Sequence, residues 1–166
     1  MSMECELADS PGVDPDISSI LSGAKTIAVV GISPKPENPS HEVAKYLIEQ
    51  GFRVIGVTPV FDQVLGVKCY PNLKSIPEHV DVVDIFRNVE AIPGIVDEAV
   101  EIGAGAVWMQ LGLEDEKSAM KAGKAGLKVV MNRCIKIEHG KLREDSSESP
   151  GLDKGEGQGG LSGVSA

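Results

Sequence analysis

The residues of this chain that could do chemistry stand where apolar runs give out. Val29-Val30-Gly31-Ile32-Ser33 passes from a β-branched segment into Pro34-Lys35-Pro36-Glu37-Asn38-Pro39-Ser40. Later runs end in Val57-Thr58-Pro59, Phe86-Arg87-Asn88, Gln110-Leu111-Gly112 and Asn132-Arg133-Cys134. A glycine turn leading into a helix start offers free backbone N–H groups and the positive end of the helix dipole, which together suit a phosphate. Lys35 and the Ser33 and Ser40 hydroxyls could assist, with Arg87 and Arg133 adding charge nearby. Each feature also has a plainer reading: tight geometry for Gly31, a helix cap for Ser40, ordinary surface positions for the arginines. Cys134 could be a reactive thiol beside Arg133 or a packed side chain, while Trp108 and Met109 read as core. In the run 80–86, Asp81 sits at the strand entry, and Asp84 is read as a holder of loop amides rather than half of a carboxylate pair.

Most catalytic patterns are missing. Residues 31–35 are not a Gly-x-Ser-x-Gly nucleophile elbow, and no Walker motif occurs. His41, His79 and His139 do not fall at zinc-ligand spacing, so neither a catalytic residue nor a metal ligand is assigned. NAD is disfavoured on two counts. Gly31 is not followed by the rest of a Gly-x-Gly-x-x-Gly fingerprint, and Val57-Thr58-Pro59 stands where an acid would hold the adenosine ribose 2′-OH. Asp62 comes too late to substitute. A ligand whose adenosine ribose is phosphorylated tolerates that lack of acid better.

These residues need strands to carry them and helices to space them. Residues 26–31, 53–57, 80–86, 106–110 and 128–131 read as strands, with a short one near 67–70. Continuous β-branched runs mark strands buried on both faces. A helix after Ser40 carries the stripe Val43, Ala44, Leu47 and Ile48; others are read at 92–102, at 114–123 and, shorter, at 16–22. This alternation predicts an α/β fold: a three-layer Rossmann-like domain with a parallel five- or six-stranded sheet and helices on both faces. Ligands of such sheets bind beyond the carboxyl ends of the strands.

Composition sets the outer limits. The net charge is −9, yet residues 25–143 hold 15 acidic and 15 basic side chains and contribute nothing to it. The acidity lies in the ends, and with screening over about 8 Å it need not repel a phosphate from a neutral domain. Neither a basic stripe nor an aromatic platform supports nucleic-acid binding, and no run of about 18 apolar residues supports a membrane span. A 42% hydrophobic share is enough for a normal core. The chain therefore reads as a flexible acidic N-terminus over 1–15, one domain over 16–143, and a disordered acidic Gly/Ser-rich tail over 144–166. Cys5, Cys69 and Cys134 form no disulfide framework, and the N-terminus lacks a secretory pattern, so the expected compartment is the cytoplasm.

Several segments, taken in order, carry a family resemblance. They are Val29-Val30-Gly31-Ile32-Ser33, Asn38-Pro39-Ser40, Gly51-Phe52-Arg53-Val54-Ile55 and Val82-Val83-Asp84-Ile85-Phe86-Arg87. Further on come Ala106-Val107-Trp108-Met109-Gln110-Leu111-Gly112 and Asn132-Arg133-Cys134-Ile135-Lys136-Ile137-Glu138-His139. Over about residues 25–141 the chain resembles the small single-domain CoA-binding proteins related to the N-terminal domain of the succinyl-CoA synthetase alpha subunit. The resemblance implies coenzyme A or an acyl-CoA as ligand. It implies phosphate contacts at Gly31, Ser33 and Ser40, with Ile32 and Lys35 in the same loop, and adenosine flanked by Val57, Thr58 and Pro59. Phe86, Arg87, Gln110, Gly112, Asn132 and Arg133 would line the remaining groove. Thr58 stands where the family usually has Asn, and Asn132 where Asp or Gly is frequent. No counterpart of the ligase's phosphohistidine segment occurs, so ligase activity is not implied. Binding without catalysis is the leading reading. An enzyme using the Cys134 thiol on a CoA thioester or disulfide, and an NAD-type oxidoreductase, are the alternatives; a homodimer or a protein partner stays open.

Overall fold

A run of β-branched residues without polar interruption pairs its backbone only in a sheet covered on both sides. The computed structural model describes residues 15–151, with side chains from 16 to 143. The strands are β1 (Thr26–Val30), β2 (Arg53–Val57), β3 (Gln63–Val64), β4 (Val67–Tyr70), β5 (Val82–Ile85), β6 (Ala106–Met109) and β7 (Lys128–Val130). They form one sheet in the order β3-β4-β2-β1-β5-β6-β7, parallel throughout except that β3 runs antiparallel to β4. The helices among the described residues are α1 (Pro15–Gly23), α2 (Pro39–Glu49), α3 (Ile92–Glu101), α4 (Glu116–Lys124) and α5 (Ile135–Gly151).

The sheet divides two cores. Ile27 and Val29 of β1 and Trp108 of β6 pack with Ile20, Leu47 and Ile135, so α1, α2 and α5 lie on one face. Val83, Ile85 and Met109 pack with Ile92, Val96 and Ala122, which places α3 and α4 on the other. Each fully buried large apolar side chain contributes about 1.5–3 kcal/mol, so these two interfaces carry most of the stability. The expected three-layer Rossmann-like α/β architecture is what forms. No helix among the described residues is long and apolar enough to cross a membrane.

Four details differ from the sequence reading. The sheet has seven strands, not five or six, because Gln63–Val64 folds back on β4 through Leu65 and Gly66, both at positive φ (56° and 77°). A two-residue strand carries no periodicity, and its turn, with φ positive at both centres, has Leu where Asn or Gly is usual. The cap of α2 is Asn38, not Ser40: Asn38 Oδ1 accepts from Ser40 N at 2.9 Å and from Ser40 Oγ at 2.7 Å. Pro39 then occupies the first helical position, where no N–H is needed. The amide-holding carboxylate is Asp81, not Asp84: its Oδ2 accepts from Lys25 N and Thr26 N, each at 2.9 Å. Finally, α5 begins at Ile135 and runs to Gly151, past the position where the tail was expected to start. Its first half is held by tertiary packing, with Ile135 fully buried. Residues 1–14 and 152–166, where most of the two expected loose ends fall, lie outside the described residues.

Asp81 thus ties the start of β1 to the start of β5. Burial raises its pKa, but the amides of Thr26 and Lys25 and the neighbouring His79 more than offset this and hold it below the usual carboxylate range. Asp81→Ala strands two backbone donors. It is expected to lower the unfolding free energy in urea titrations by about 1–3 kcal/mol, with Asp81→Asn recovering part of the loss.

Candidate functional site

In this strand order β2 and β4 lie on one side of β1, while β5, β6 and β7 lie on the other. The two crossovers leaving this point diverge, and a crevice opens beyond the carboxyl ends of β1 and β5. Gly31 sits at its base. Its N–H donates to Val57 O at 2.9 Å, joining the first loop to the end of β2. Its φ of +90° is one that L side chains rarely adopt. A Cβ there would lie 2.9 Å from Arg87 Cδ and 3.1 Å from Phe86 O. The loop from Ile32 to Asn38 is drawn back onto α2 by His41, whose Nδ1 bonds Ser33 O at 3.0 Å. Ser33 Oγ accepts from Lys35 N at 3.1 Å.

Beside this loop lies a cavity of about 480 Å³. Pro39 and Val43 of α2 form one wall, Phe86, Arg87 and Asn88 after β5 the next. Gln110, Leu111 and Leu113 after β6 form a third, and Cys134 and Ile137 at the start of α5 close it. Leu111 and Ile137 are more than half exposed, so the mouth is apolar. Smaller clefts of about 160 and 280 Å³ open elsewhere, among Ser19, Asp81 and Lys128 and among Arg53, Lys68 and Glu78. The first lies at the amino ends of the strands, the end that parallel sheets do not use for ligands.

Of the expected site residues, Phe86, Arg87 and Gln110 line the cavity, as does the thiol candidate Cys134. Gly31, Ile32, Ser33 and Lys35 form the adjoining loop, with Lys35 exposed and Ile32 buried. Ser40 is fully buried and its hydroxyl proton is spent on Asn38, so it shapes the loop from beneath. Val57, Thr58 and Pro59 stand on the far side of β1; Thr58 N donates to Tyr70 O and its Oγ1 accepts from Val60 N. Gly112, Asn132 and Arg133 brace the loops after β6 and β7. Asn132, at φ 58°, accepts from Gly112 N through Oδ1 at 2.7 Å and donates its own N–H to Leu113 O. Arg133 O accepts from Trp108 Nε1 at 2.8 Å. Sequence reasoning missed Pro39, Val43, Leu113 and Ile137 as cavity residues. They are ordinary helix and loop apolar positions, and only the packing of α2, α5 and the loop after β6 around one space brings them together.

Asp84 and Gln110 supply the unusual electrostatics. Asp84 is completely buried, Gln110 Nε2 donates to its Oδ1, and Oδ2 has no partner among the described residues. Burial raises the carboxyl pKa to about 8 against the smaller opposing effect of the Gln110 bond, so the group holds its proton at neutral pH. Burial and the nearby Arg143 lower the pKa of His139, which pairs through Nδ1 with the Tyr46 hydroxyl at 2.7 Å.

Comparisons with known proteins identify the family and the fold. The family model described as CoA binding domain matches residues 25–140. The uncharacterized protein YneT of Bacillus subtilis is 40% identical over 124 residues, covering 75% of this chain and 92% of its own length. A hypothetical protein of Pyrococcus horikoshii superposes with a TM-score of 0.76 at 42% identity, over 80% of this chain and 94% of its own. An ADP-forming acetate–CoA ligase of Archaeoglobus fulgidus is 31% identical over 123 residues; the match spans only 18% of that enzyme.

The raised pKa of Asp84 has a thermodynamic sign. Between the unfolded carboxyl pKa near 4 and the folded value of about 8, the folded state binds the extra proton. Its contribution to stability is therefore fully present below the unfolded pKa and lost as pH rises towards the folded one. Asp84→Asn removes this dependence. The difference in melting temperature between wild type and Asp84→Asn, followed by circular dichroism from pH 4 to 9, is expected to move steadily against the wild type and level off above about pH 8.

Proposed function

The chain belongs to the CoA binding domain family, and from that premise we propose that it binds coenzyme A or an acyl-CoA across the carboxyl edge of its sheet, without catalysis of its own. The observation that carries this reading is the adjacency of two unlike features at the switch point. One is a glycine loop feeding a capped helix start; the other is a cavity of about 480 Å³ with a largely apolar wall. The start of α2 keeps no free N–H of its own, since Pro39 has none and Ser40, His41 and Glu42 donate to Asn38. The helix dipole and the backbone of the Gly31 loop are therefore what suit a phosphate here. The cavity suits a long, mostly apolar arm that carries a few amides.

In this reading the phosphates lie over Gly31, Ile32 and Ser33, with Lys35 supplying charge and Ser40 fixing the loop through Asn38. The adenosine lies against Val57, Thr58 and Pro59, where the exposed Val60 and Phe61 extend an apolar surface. No acid follows β2 until Asp62, which accords with a phosphorylated ribose rather than a free 2′,3′-diol. The arm runs past Phe86, Arg87 and Gln110, with Gly112, Asn132 and Arg133 bracing the far side. The cytoplasm is the proposed compartment, consistent with Cys69 and Cys134 as free thiols.

Titration calorimetry tests the proposal: CoA is expected to bind more tightly than dephospho-CoA, and both more tightly than NAD. Tighter binding of NAD, or none of CoA, overturns it. Cys134 on the cavity wall favours a second reading, in which its thiol takes the acyl group of a CoA thioester and releases CoA. That reading expects Cys134→Ser to abolish CoA release from the thioester while CoA affinity is kept. Equal release by the variant leaves Cys134 as a wall residue.

A further inference from the structure

The pair Asp84–Gln110 costs stability that an apolar pair would not. Asp84 is on the middle of the sheet, with β1 Val29 and β6 Trp108 as its cross-strand partners, and none of it reaches solvent. One carboxyl oxygen is bonded by Gln110 and the other by nothing among the described residues. A buried polar atom without a partner is expensive, and a leucine or valine at this position would pack without that cost. Such a group earns attention as a device for orienting its neighbour.

Gln110 is that neighbour. It is 95% buried, as its 5% exposure states, and lines the cavity. An amide side chain can present either its NH₂ or its carbonyl oxygen, and only its partner decides which. With the Asp84 proton on Oδ2, Oδ1 can only accept; it takes the Nε2 donor, and the Oε1 acceptor of Gln110 is left over. Oε1 bonds no described residue, and it is not among the fully buried unpartnered atoms, so it reaches the cavity surface. The other polar groups on the cavity wall, Arg87 and Asn88, are exposed by comparison.

We infer that Asp84 is a positioning residue that locks the Gln110 amide with its carbonyl oxygen facing the cavity, so that the site selects a ligand arm presenting a secondary-amide N–H. This rests on the CoA reading and deepens it, since the pantetheine arm carries two such amides in an otherwise apolar chain. The polar contact is directional: an arm with an ester oxygen in place of the amide N–H would place two acceptors against each other. An arm without the N–H therefore loses the bond and leaves Gln110 Oε1 desolvated.

The test uses the full chain and three probes in titration calorimetry: CoA, 3′,5′-ADP, which lacks the arm, and CoA analogues with an ester oxygen replacing each amide N–H in turn. In the wild type, one of the ester analogues is expected to bind roughly fivefold more weakly than CoA, the worth of one net hydrogen bond. Asp84→Leu is expected to bind CoA roughly fivefold more weakly, to bind 3′,5′-ADP unchanged, and to show no further loss with the ester analogue. The double variant Asp84→Leu/Gln110→Met, which leaves no buried polar atom without a partner, should fold at least as stably as the wild type and show the same binding pattern. Unchanged CoA affinity in both variants, or an ester penalty of equal size in wild type and variants, overturns the inference. A wild type that binds CoA and both ester analogues equally overturns it while leaving the CoA reading standing; a wild type that binds neither CoA nor 3′,5′-ADP overturns both.

Discussion

Everything at the carboxyl edge depends on how closely three strand ends approach one another. The end of β1 must pass between the end of β2, to which Gly31 N is bonded, and the Phe86–Arg87 segment leaving β5. The backbone makes this passage at a positive φ with less than a van der Waals diameter to spare for any side chain. Glycine meets both demands at once. The direction of the loop, the start of α2 and the opening of the crevice all follow from that meeting point.

The two carboxylates of β5 and its entry show how environment decides a role. Asp81 stands at the amino edge, partly exposed, and its charge is held by two backbone donors. Asp84, three residues on, faces the core that α2 and α5 cover, and among the described residues its ionised form has one donor, the Gln110 amide. One is a charged staple between strands; the other is a neutral acid that orients a glutamine. Alternation along a strand places residues three apart on opposite faces, so the two were never a pair.

Support for the cavity is shared among loops that are distant in sequence. Trp108 fills the space beneath it and bonds the carbonyl of Arg133, while Asn132 bonds the loop after β6. The last crossover is thus fastened to the preceding one at two points, and α5 starts in a fixed position with Cys134 and Ile137 turned to the cavity. Without those bonds the fourth wall would have no fixed place.

The sequence by itself determined the strands of the sheet interior, because residues buried on both faces must be apolar throughout and such runs stand out. It also determined the chemical character of the strand ends: the Gly31 loop, Phe86, Arg87 and Gln110 were legible as a set, and their order carried the family resemblance. The short edge strand, the start of α5 and the cap at Asn38 were not legible, since each depends on contacts rather than on a periodic pattern. Only the tertiary structure decided that Ser40 is buried, that Pro39, Val43 and Ile137 face one cavity, and that Asp84 bonds Gln110 instead of a loop. The physical reason is common to all of these. Periodicity reports which face of an element is covered, whereas the partner that covers it is fixed by the packing of elements far apart in the chain.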